Sequence, residues 1–340
     1  MKLGFIVPKH SSHCGVYDFT VSLLDNMVRY CPSANYEFVE SSSYARFPKH
    51  YDKKSFDLLH LNYPMAGFRK SFVPQLIALF GTIPISATLH EYEHSHFMRK
   101  LLSNILLPAS GIVFTSKREL TTFSSSIASW RLRHIVTNII PISSNIPVVV
   151  DAYIPKSKNG VVFFGLLRPN RGLEEFIQLA SLSLDVNAEF VFTMVCAHTS
   201  ACRAFADEML RSASALKNVR IFLDEPPASV SRHLAGARFA YLPYPDGVSE
   251  RRGSFVAALA HGAIVLTTVS DLTDPEIAKL VVPVGSPSDA LAKLQRLHSD
   301  FRVSAMLQKR ARSWLAQRTW QLVSARYFDF FVEVVRKTHS

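Results

Sequence analysis

The sequence lacks several features that would assign it to common classes of protein. It has four cysteines in 340 residues, and their spacing matches no metal site, which is typical of a reduced, cytoplasmic setting. No apolar run approaches the roughly 18 residues needed to span a bilayer. A short apolar start is interrupted by Pro8 and His10, so we expect a first strand and no secretory signal.

The charge balance is uneven, with 38 Lys and Arg against 27 Asp and Glu and a formal net charge of +11. This excess favours an anionic partner: a nucleic acid, a membrane surface or a phosphorylated ligand. Solvated basic faces would give the same excess. Because the sequence has no lysine-rich tail, RNA-binding aromatic signature or zinc-finger spacing, we expect no nucleic-acid partner.

Strand-like and helix-like segments alternate along the whole chain. KLGFIVP predicts a strand, and VYDFTVSLLDNMVRY, further along, predicts an amphipathic helix. This alternation continues to the end of the sequence and is typical of βα units around a largely parallel sheet. One face of the predicted helix carries Phe19, Leu23, Leu24, Met27 and Val28.

Proline, lysine and glycine interrupt the alternation near residues 152–159, where we predict a domain boundary. The predicted fold is therefore α/β, with two Rossmann-like domains facing a cleft. The first spans residues 1–153 and the second 154–318, and an aromatic-rich helix at 319–340 is expected to pack back on the first. In such open sheets, ligands bind at the carboxyl ends of the strands.

Two loops that follow predicted strands combine glycine with a helix start, where free backbone N–H groups favour anions. The first has Gly15 just before a helix, without the GxGxxG dinucleotide fingerprint. The second has Gly165 at the end of a strand, followed by Arg168 and Arg171, which together can clamp a pyrophosphate. Simple turn glycines and surface arginines would give the same patterns.

A third loop, SERRGSFVAALAHG, begins at Ser249 and leads into an almost wholly apolar helix. Gly253 and Ser254 lie where the first helical amides would be free, and a buried helix aimed at a cleft makes a preformed phosphate site. Of the two arginines before the helix, we expect Arg252 to reach the ligand and Arg251 to be solvated. A merely charged first turn is the alternative.

The segment TLHEYEH contains the HExxH pattern of zinc proteases, beginning at His90. That pattern needs a helix to bring both histidines to one face. The β-branched residues before His90 predict a strand instead, so we expect no metal site. A histidine at the end of a strand suits a hydrogen-bonding or acid–base role, and a structural loop histidine is the alternative.

Taken in order, these motifs resemble retaining glycosyltransferases of the GT-B fold, in particular the large family-four group. CGVYDFT, FDLLHLNYP, TLHEY, GIVFTSKRE and IPISSNIP resemble successive motifs of that family. FFGLLRPNRGLEEFI is similar to its F-x-G-x-x-R-P-x-K-G-L loop, with Arg171 in place of lysine, and SERRGSFVAALAHG resembles a variant of its donor-site motif. The resemblance covers nearly the whole chain.

The resemblance implies transfer of a sugar, with retention, from a nucleoside-diphosphate sugar to a lipid-linked or saccharide acceptor in polysaccharide or glycolipid biosynthesis. No metal or cofactor would be needed. Arg168 and Arg171 would neutralise the leaving diphosphate, helped by the amides near Gly253 and Ser254. His90 would hydrogen-bond the donor sugar.

The same resemblance implies further donor contacts and one departure. Gly15, Gly165 and Arg252 would lie at the donor. The family motif has two glutamates eight residues apart, and these positions are here Ser249 and Ala257. Ser249 would still contact the donor, and Glu250 would take over part of the first glutamate's contact with the sugar. Ala257 cannot hold the ribose, so the ribose must be held elsewhere and the base is not predicted.

Two other functions fit the same fold: a non-catalytic GT-B subunit that binds nucleotide sugars, and a nucleotide-sugar epimerase. The segments FRKSFVPQLIALFG and HFMRKLLSNILLP mix Lys and Arg with long apolar side chains, as interfacial helices do. Helices that pack in the core and have basic outer faces would give the same sequence pattern. An anionic membrane is therefore a candidate partner, with the protein expected in the cytoplasm at its inner face.

Overall fold

The structure is a computed structural model, and its elements form two compact units, Met1–Ser143 with Arg318–Ser340 (unit 1) and Ser144–Gln317 (unit 2). The predicted boundary between residues 153 and 154 lies outside the described residues. The structure describes residues 1–8, 14–40, 55–68, 72–80, 82–90, 92, 97–105, 109–126, 129–148, 156–199 and 202–339.

Unit 1 contains a six-stranded parallel sheet in the order β2-β1-β3-β4-β5-β6. Every residue of β3, β4 and β5 is buried, as expected for a parallel sheet covered on both faces. The strands are β1 (Lys2–Val7), β2 (Asn35–Glu40), β3 (Leu58–Tyr63), β4 (Ile85–Leu89), β5 (Gly111–Phe114) and β6 (Val136–Ile139). The helices are α1 (Gly15–Tyr30), α2 (Val73–Phe80), α3 (Phe97–Ile105) and α4 (Lys117–Ser124).

Helix α1 packs by the apolar face that the sequence predicts, with one exception. Phe19, Leu23, Leu24 and Met27 are buried, whereas Val28 is 52% exposed. The prediction for Val28 is wrong because that residue lies at the edge of the apolar stripe. The sequence predicts that Gly15 lies just before the helix, whereas in the structure Gly15 is the first residue of the helix.

Unit 2 contains a second six-stranded parallel sheet, in the order β12-β11-β10-β7-β8-β9. Its strands are β7 (Ser157–Leu166), β8 (Val191–Ala197), β9 (Val219–Leu223), β10 (Ala237–Tyr241), β11 (Ile264–Thr267) and β12 (Val282–Pro283). Its helices are α5 (Leu173–Asp185), α6 (Arg203–Ser214), α7 (Pro227–Gly236), α8 (Gly253–Ala260), α9 (Pro275–Ala278), α10 (Pro287–Ser299) and α11 (Phe301–Leu315).

The last helix, α12 (Trp320–His339), belongs to unit 1. Its aromatic side chains, among them Tyr327 and Phe331, lie in the core with α1 and the first strands. The approach is close, because a Cβ added to Gly111 of β5 would lie 2.5 Å from Val334. The aromatic richness of this segment is therefore explained by burial.

The strand orders define where each sheet can receive a ligand. In unit 1 the chain leaves β1 toward β2 on one side and returns to β3 on the other, and in unit 2 the same reversal occurs between β7 and β10. Ligands of open parallel sheets bind outside the carboxyl ends of the strands at such switch points. No helix in the described part of the chain is long and apolar enough to cross a membrane.

Candidate functional site

At the carboxyl edge of the unit 1 sheet, His90 directly follows β4 and is only 8% exposed. Its Nε2 lies 3.0 Å from Oδ1 of Asn62 on β3, and its ring meets the edge of Phe19 at a centroid distance of 5.3 Å. Asn62 is fully buried, and its Nδ2 has no partner among the described residues. His90 is thus fixed by a neighbouring strand and by α1.

A second histidine, His60, lies deeper in the same sheet. Its Nδ1 is 2.9 Å from the Ser86 hydroxyl and its Nε2 is 3.0 Å from the Thr88 hydroxyl, which in turn lies 2.9 Å from the hydroxyl of Tyr327. Burial, with a smaller contribution from the charge of His90, lowers the pKa of His60 to about 3. His60 is therefore a neutral structural group that ties α12 to the sheet.

Only some of the other features of unit 1 that the sequence predicts lie within the described residues. No described atom lies within 4 Å of a Cβ added at Gly15, so packing within the described chain does not require a glycine there. Glu91 and His94, the rest of the HExxH pattern, lie outside the described residues. The described residues contain no cluster of His, Cys, Asp or Glu that could hold a metal ion.

In unit 2, the loop after β7 carries both predicted arginines. Arg168 and Arg171 are half-buried, and the loop between them turns through Asn170, whose φ of 60° is left-handed. Gly172 caps α5 with a φ of 83°, and a Cβ there would lie 2.3 Å from the carbonyl oxygen of Pro243. Glycine is required at this position because it lets the loops after β7 and β10 touch at the switch point.

Gly165 lies inside β7, where a Cβ would come within 3.3 Å of the Phe163 ring. Gly253, in contrast, is the first residue of α8, and no described atom lies within 4 Å of a Cβ built on it. The N-terminus of α8 is therefore open on the side where that Cβ would point.

Arg252 caps α8 and is only 14% exposed by its side chain. Its Nη2 donates to Oδ1 of Asp246, and its guanidinium lies over the ring of Tyr244 at 4.8 Å from the centroid. The side chain of Arg252 is thus bound by two residues of the loop that precedes α8. The sequence around Arg252 does not predict these two contacts. Burial raises the pKa of Tyr244 to about 12.

The start of α8 has its donors partly used. The hydroxyls of Tyr244 and Ser254 lie 2.7 Å apart. The amides of Gly253 and Ser254 donate to no acceptor among the described residues. They can therefore bind an anion.

The remaining predicted donor residues lie in the same loop. Ser249 has a buried hydroxyl without a partner in the described part of the chain, and Glu250 is half-buried. Ala257 is 1% exposed within α8, so that position can make no polar contact with a ligand. Ser249, Glu250 and Arg252 lie in the loop between β10 and α8, which meets the arginine loop of β7 at Pro243 and Gly172.

Sequence reasoning missed several polar residues at these edges. Asn62, Tyr244 and Asp246 are visible in the sequence, but only the strand register and the loop path show that they contact predicted site residues. His198 and Asp224, which directly follow β8 and β9, were also missed. Their position directly after apolar, strand-like segments was the available signal.

No known protein-family model matches the sequence, and no characterised protein is similar to it in sequence. The structure is similar to that of HepE from Anabaena, solved with UDP and glucose, at a TM-score of 0.71 and 14% identity, covering 98% of this chain and 100% of that one. A glycosyltransferase from Rickettsia africae gives 0.70 and 12%, covering 98% of both chains. AviGT4, a glycosyltransferase involved in avilamycin A biosynthesis, gives 0.61 and 12%, covering 99% of this chain and 98% of that one.

The chain has the GT-B fold. The predicted fold class, α/β with two Rossmann-like domains, is confirmed. At these identities the likeness shows the fold alone, since one fold hosts many activities.

Proposed function

We propose that the protein is a glycosyltransferase that uses a nucleoside-diphosphate sugar as donor. The observation that carries the proposal is the joined pair of loops at the β7–β10 switch point of unit 2. There the loop that carries Arg168 and Arg171 meets the loop that leads from β10 to the start of α8, through the close approach of Gly172 to Pro243. Two guanidiniums and free helical amides at a switch point suit a diphosphate. The fold is also that of HepE, which has been solved with UDP-glucose.

In the proposed reaction the bond between the anomeric carbon and the β-phosphate oxygen breaks. The electron pair goes to the diphosphate, whose growing charge is neutralised by Arg168, Arg171 and the amides of Gly253 and Ser254. An acceptor hydroxyl forms the new bond to the anomeric carbon on the same face, with retention, and loses its proton to the leaving phosphate oxygen. This preorganised electrostatic stabilisation needs no metal.

The other predicted residues have supporting roles in this proposal. His90, held by Asn62, would hydrogen-bond a sugar hydroxyl, and Glu250 would accept from another. Gly15 would leave room for the donor in unit 1. In unit 2, Arg252 would position the start of α8 through its contacts with Tyr244 and Asp246, so that the first amides of the helix stay directed at the donor.

We further propose a lipid-linked or saccharide acceptor of cell-surface polysaccharide or glycolipid synthesis, reached at the anionic inner face of the membrane. What supports a membrane surface is a pair of adjoining helices, α2 and α3, with large apolar side chains in solvent. The net charge of +11 complements anionic lipid. The exposed side chains are Phe72 (62%), Leu79 (48%), Phe80 (64%), Phe97 (69%) and Leu101 (44%).

Turnover with a panel of nucleotide sugars tests the donor proposal. The wild type should release nucleoside diphosphate and form a glycosylated product. Arg171→Ala should lower turnover about 100- to 1,000-fold. Arg232→Ala, an exposed arginine on α7, is the matched control and should change nothing.

Other outcomes identify other functions. Nucleotide binding without turnover would indicate a binding subunit, and free sugar released without acceptor would indicate an epimerase. Turnover that survives both His90→Ala and Arg171→Ala unchanged would contradict the assigned roles.

Flotation with vesicles tests the membrane proposal. Binding to vesicles containing anionic lipid should weaken with salt and with Phe80→Ser plus Phe97→Ser. Val186→Ser, an exposed apolar residue of unit 2 at 55%, is the control. Absence of binding at both low and high salt would contradict the membrane proposal.

A further inference from the structure

His198 and Asp224 form a pair that the proposed reaction leaves unused. They directly follow β8 and β9, and Nδ1 of His198 lies 2.6 Å from Oδ2 of Asp224. The backbone N–H of His198 donates to the other carboxylate oxygen at 2.9 Å. The two side chains are 45% and 44% exposed, so the pair is both ordered by its own bonds and open to solvent.

This pair adjoins the arginine loop. The amide of Leu167 donates to the carbonyl of Ala197 at 2.9 Å, and the Thr199 hydroxyl donates back to the carbonyl of Leu167 at 3.2 Å. His198 therefore lies between two residues that are bonded to the neighbour of Arg168. The pair and the loop that carries Arg168 are therefore joined directly at the same edge of the sheet.

Three hydroxyls at and after the end of β11, on the opposite side of the switch point, are used by the protein. The hydroxyl of Thr267, the last residue of β11, donates to the carbonyl of Leu242, and that of Thr268 donates to the carbonyl of Tyr244. The Ser270 hydroxyl likewise donates to the Asp246 carbonyl at 2.9 Å. These hydroxyls stabilise the β10–α8 loop, whereas the side chains of His198 and Asp224 present polar atoms to solvent.

We infer that His198 and Asp224 hold the ribose hydroxyls of the nucleotide whose diphosphate binds Arg168 and Arg171. The inference rests on the proposed function. A ribose presents two adjacent hydroxyls, each able to donate and to accept. The Asp224 carboxylate accepts from one of them. With Nδ1 donating to that carboxylate, Nε2 of His198 hydrogen-bonds to the other. The ligand class is therefore a ribonucleoside diphosphate, in preference to its 2′-deoxy form.

Calorimetry with paired nucleotides tests this inference. UDP and GDP are titrated beside 2′-deoxy-UDP and 2′-deoxy-GDP, and inorganic pyrophosphate probes the phosphate site alone. The wild type should bind the ribo form of the preferred base about tenfold more tightly than its deoxy form. Whichever of Asp224→Asn and His198→Ala removes the partner of the 2′-hydroxyl should bring that ratio close to one, and neither variant should change the affinity for pyrophosphate.

The variants separate ribose recognition from folding. Asn tolerates the left-handed backbone of Asp224 (φ 50°) and keeps an oxygen for the His198 N–H, so Asp224→Asn preserves the turn. Arg171→Ala should weaken ribo and deoxy forms equally and leave their ratio unchanged. Glu276→Gln removes an equal charge from an exposed ion pair of unit 2 and should alter neither.

The outcomes distinguish two failures. If a nucleotide binds but the ribo preference is absent in the wild type, or persists in both Asp224→Asn and His198→Ala, the inference is overturned and the proposed function stands. If none of the nucleotides binds, the proposed function fails, and the inference fails with it.

Discussion

The two sheets present different chemistry at the same edge. In unit 1 the polar residues at the carboxyl ends of β3 and β4, such as Asn62 and His90, are buried and bonded to one another. In unit 2 the corresponding residues are charged and half-buried or half-exposed, as Arg168, Arg171 and Asp224 are. Charged groups remain ionised only where water or a partner ion reaches them, so the unit 2 edge suits an anion. The unit 1 edge suits neutral hydroxyls.

Acid should destabilise unit 1 through His60, and this is the largest effect we expect. Because burial lowers the pKa of His60 to about 3, the unfolded state takes up a proton near pH 6.5 while the folded state does not. The stability is fully present above pH 6.5 and is lost as the pH falls toward 3, at about 1.4 kcal/mol per pH unit. Urea denaturation at several pH values measures this.

Substitutions at two histidines of unit 1 isolate that effect. His60→Gln cannot be protonated and should flatten the acid dependence. His134→Gln, at an exposed position of the same unit, should leave it as in the wild type. If the free energy of unfolding of His60→Gln falls with pH as steeply as that of the wild type, His60 does not cause the acid dependence. The contrast between a neutral unit 1 core and a charged unit 2 edge would then lose its support from His60.

Two glycines of the unit 2 edge should respond to alanine in opposite ways. Gly172→Ala combines a φ of 83° with a Cβ 2.3 Å from the Pro243 carbonyl, and should cost about 2–3 kcal/mol. Gly253→Ala meets no described atom within 4 Å in the first turn of α8, and should stabilise by about 0.4–1 kcal/mol. Thermal denaturation measures both, and equal effects would show that the loops after β7 and β10 do not require their close contact.

Charge at the opposite end of the unit 2 sheet should affect stability and not ligand binding. Nζ of Lys156 donates to the carbonyls of Ala235, Ala237 and His261 at 2.8–3.0 Å. Lys156→Met leaves these acceptors without their donor and should cost about 2 kcal/mol in urea denaturation. The affinity of the folded protein for UDP should not change.

Lys158→Met is the matched control, since Lys158 lies two residues further on and is exposed. It should cost almost nothing. A loss of UDP affinity in Lys156→Met would show that the two ends of the sheet are coupled. Residues at the amino ends of the strands would then contribute to ligand binding as well as to stability.

The alternation of apolar segments was sufficient to predict the fold, because parallel strands buried on both faces give clear apolar runs. The third loop also predicted a helix start at Gly253, and α8 begins there. The bonds of Arg252 could not be predicted. They depend on where the loop carries Tyr244 and Asp246, and a loop path is set by tertiary contacts such as that between Gly172 and Pro243. Side-chain roles at the site remain predictions.

The smallest expected effect concerns the tyrosine that holds the start of α8. Tyr244→Phe removes a hydroxyl that bonds Ser254, and should cost about 1 kcal/mol. Ser254→Ala removes the same bond from its other partner, so a double-mutant cycle in urea should give a coupling energy of about 0.5 kcal/mol or more. If the start of α8 binds the diphosphate, Tyr244→Phe should also weaken pyrophosphate, because the amides of Gly253 and Ser254 would lose their fixed direction. Additive changes in the free energy of unfolding, together with an unchanged affinity for pyrophosphate, would show that the anion contacts only the arginines. The anion site at the carboxyl edge of the unit 2 sheet would then consist of the loop after β7 alone.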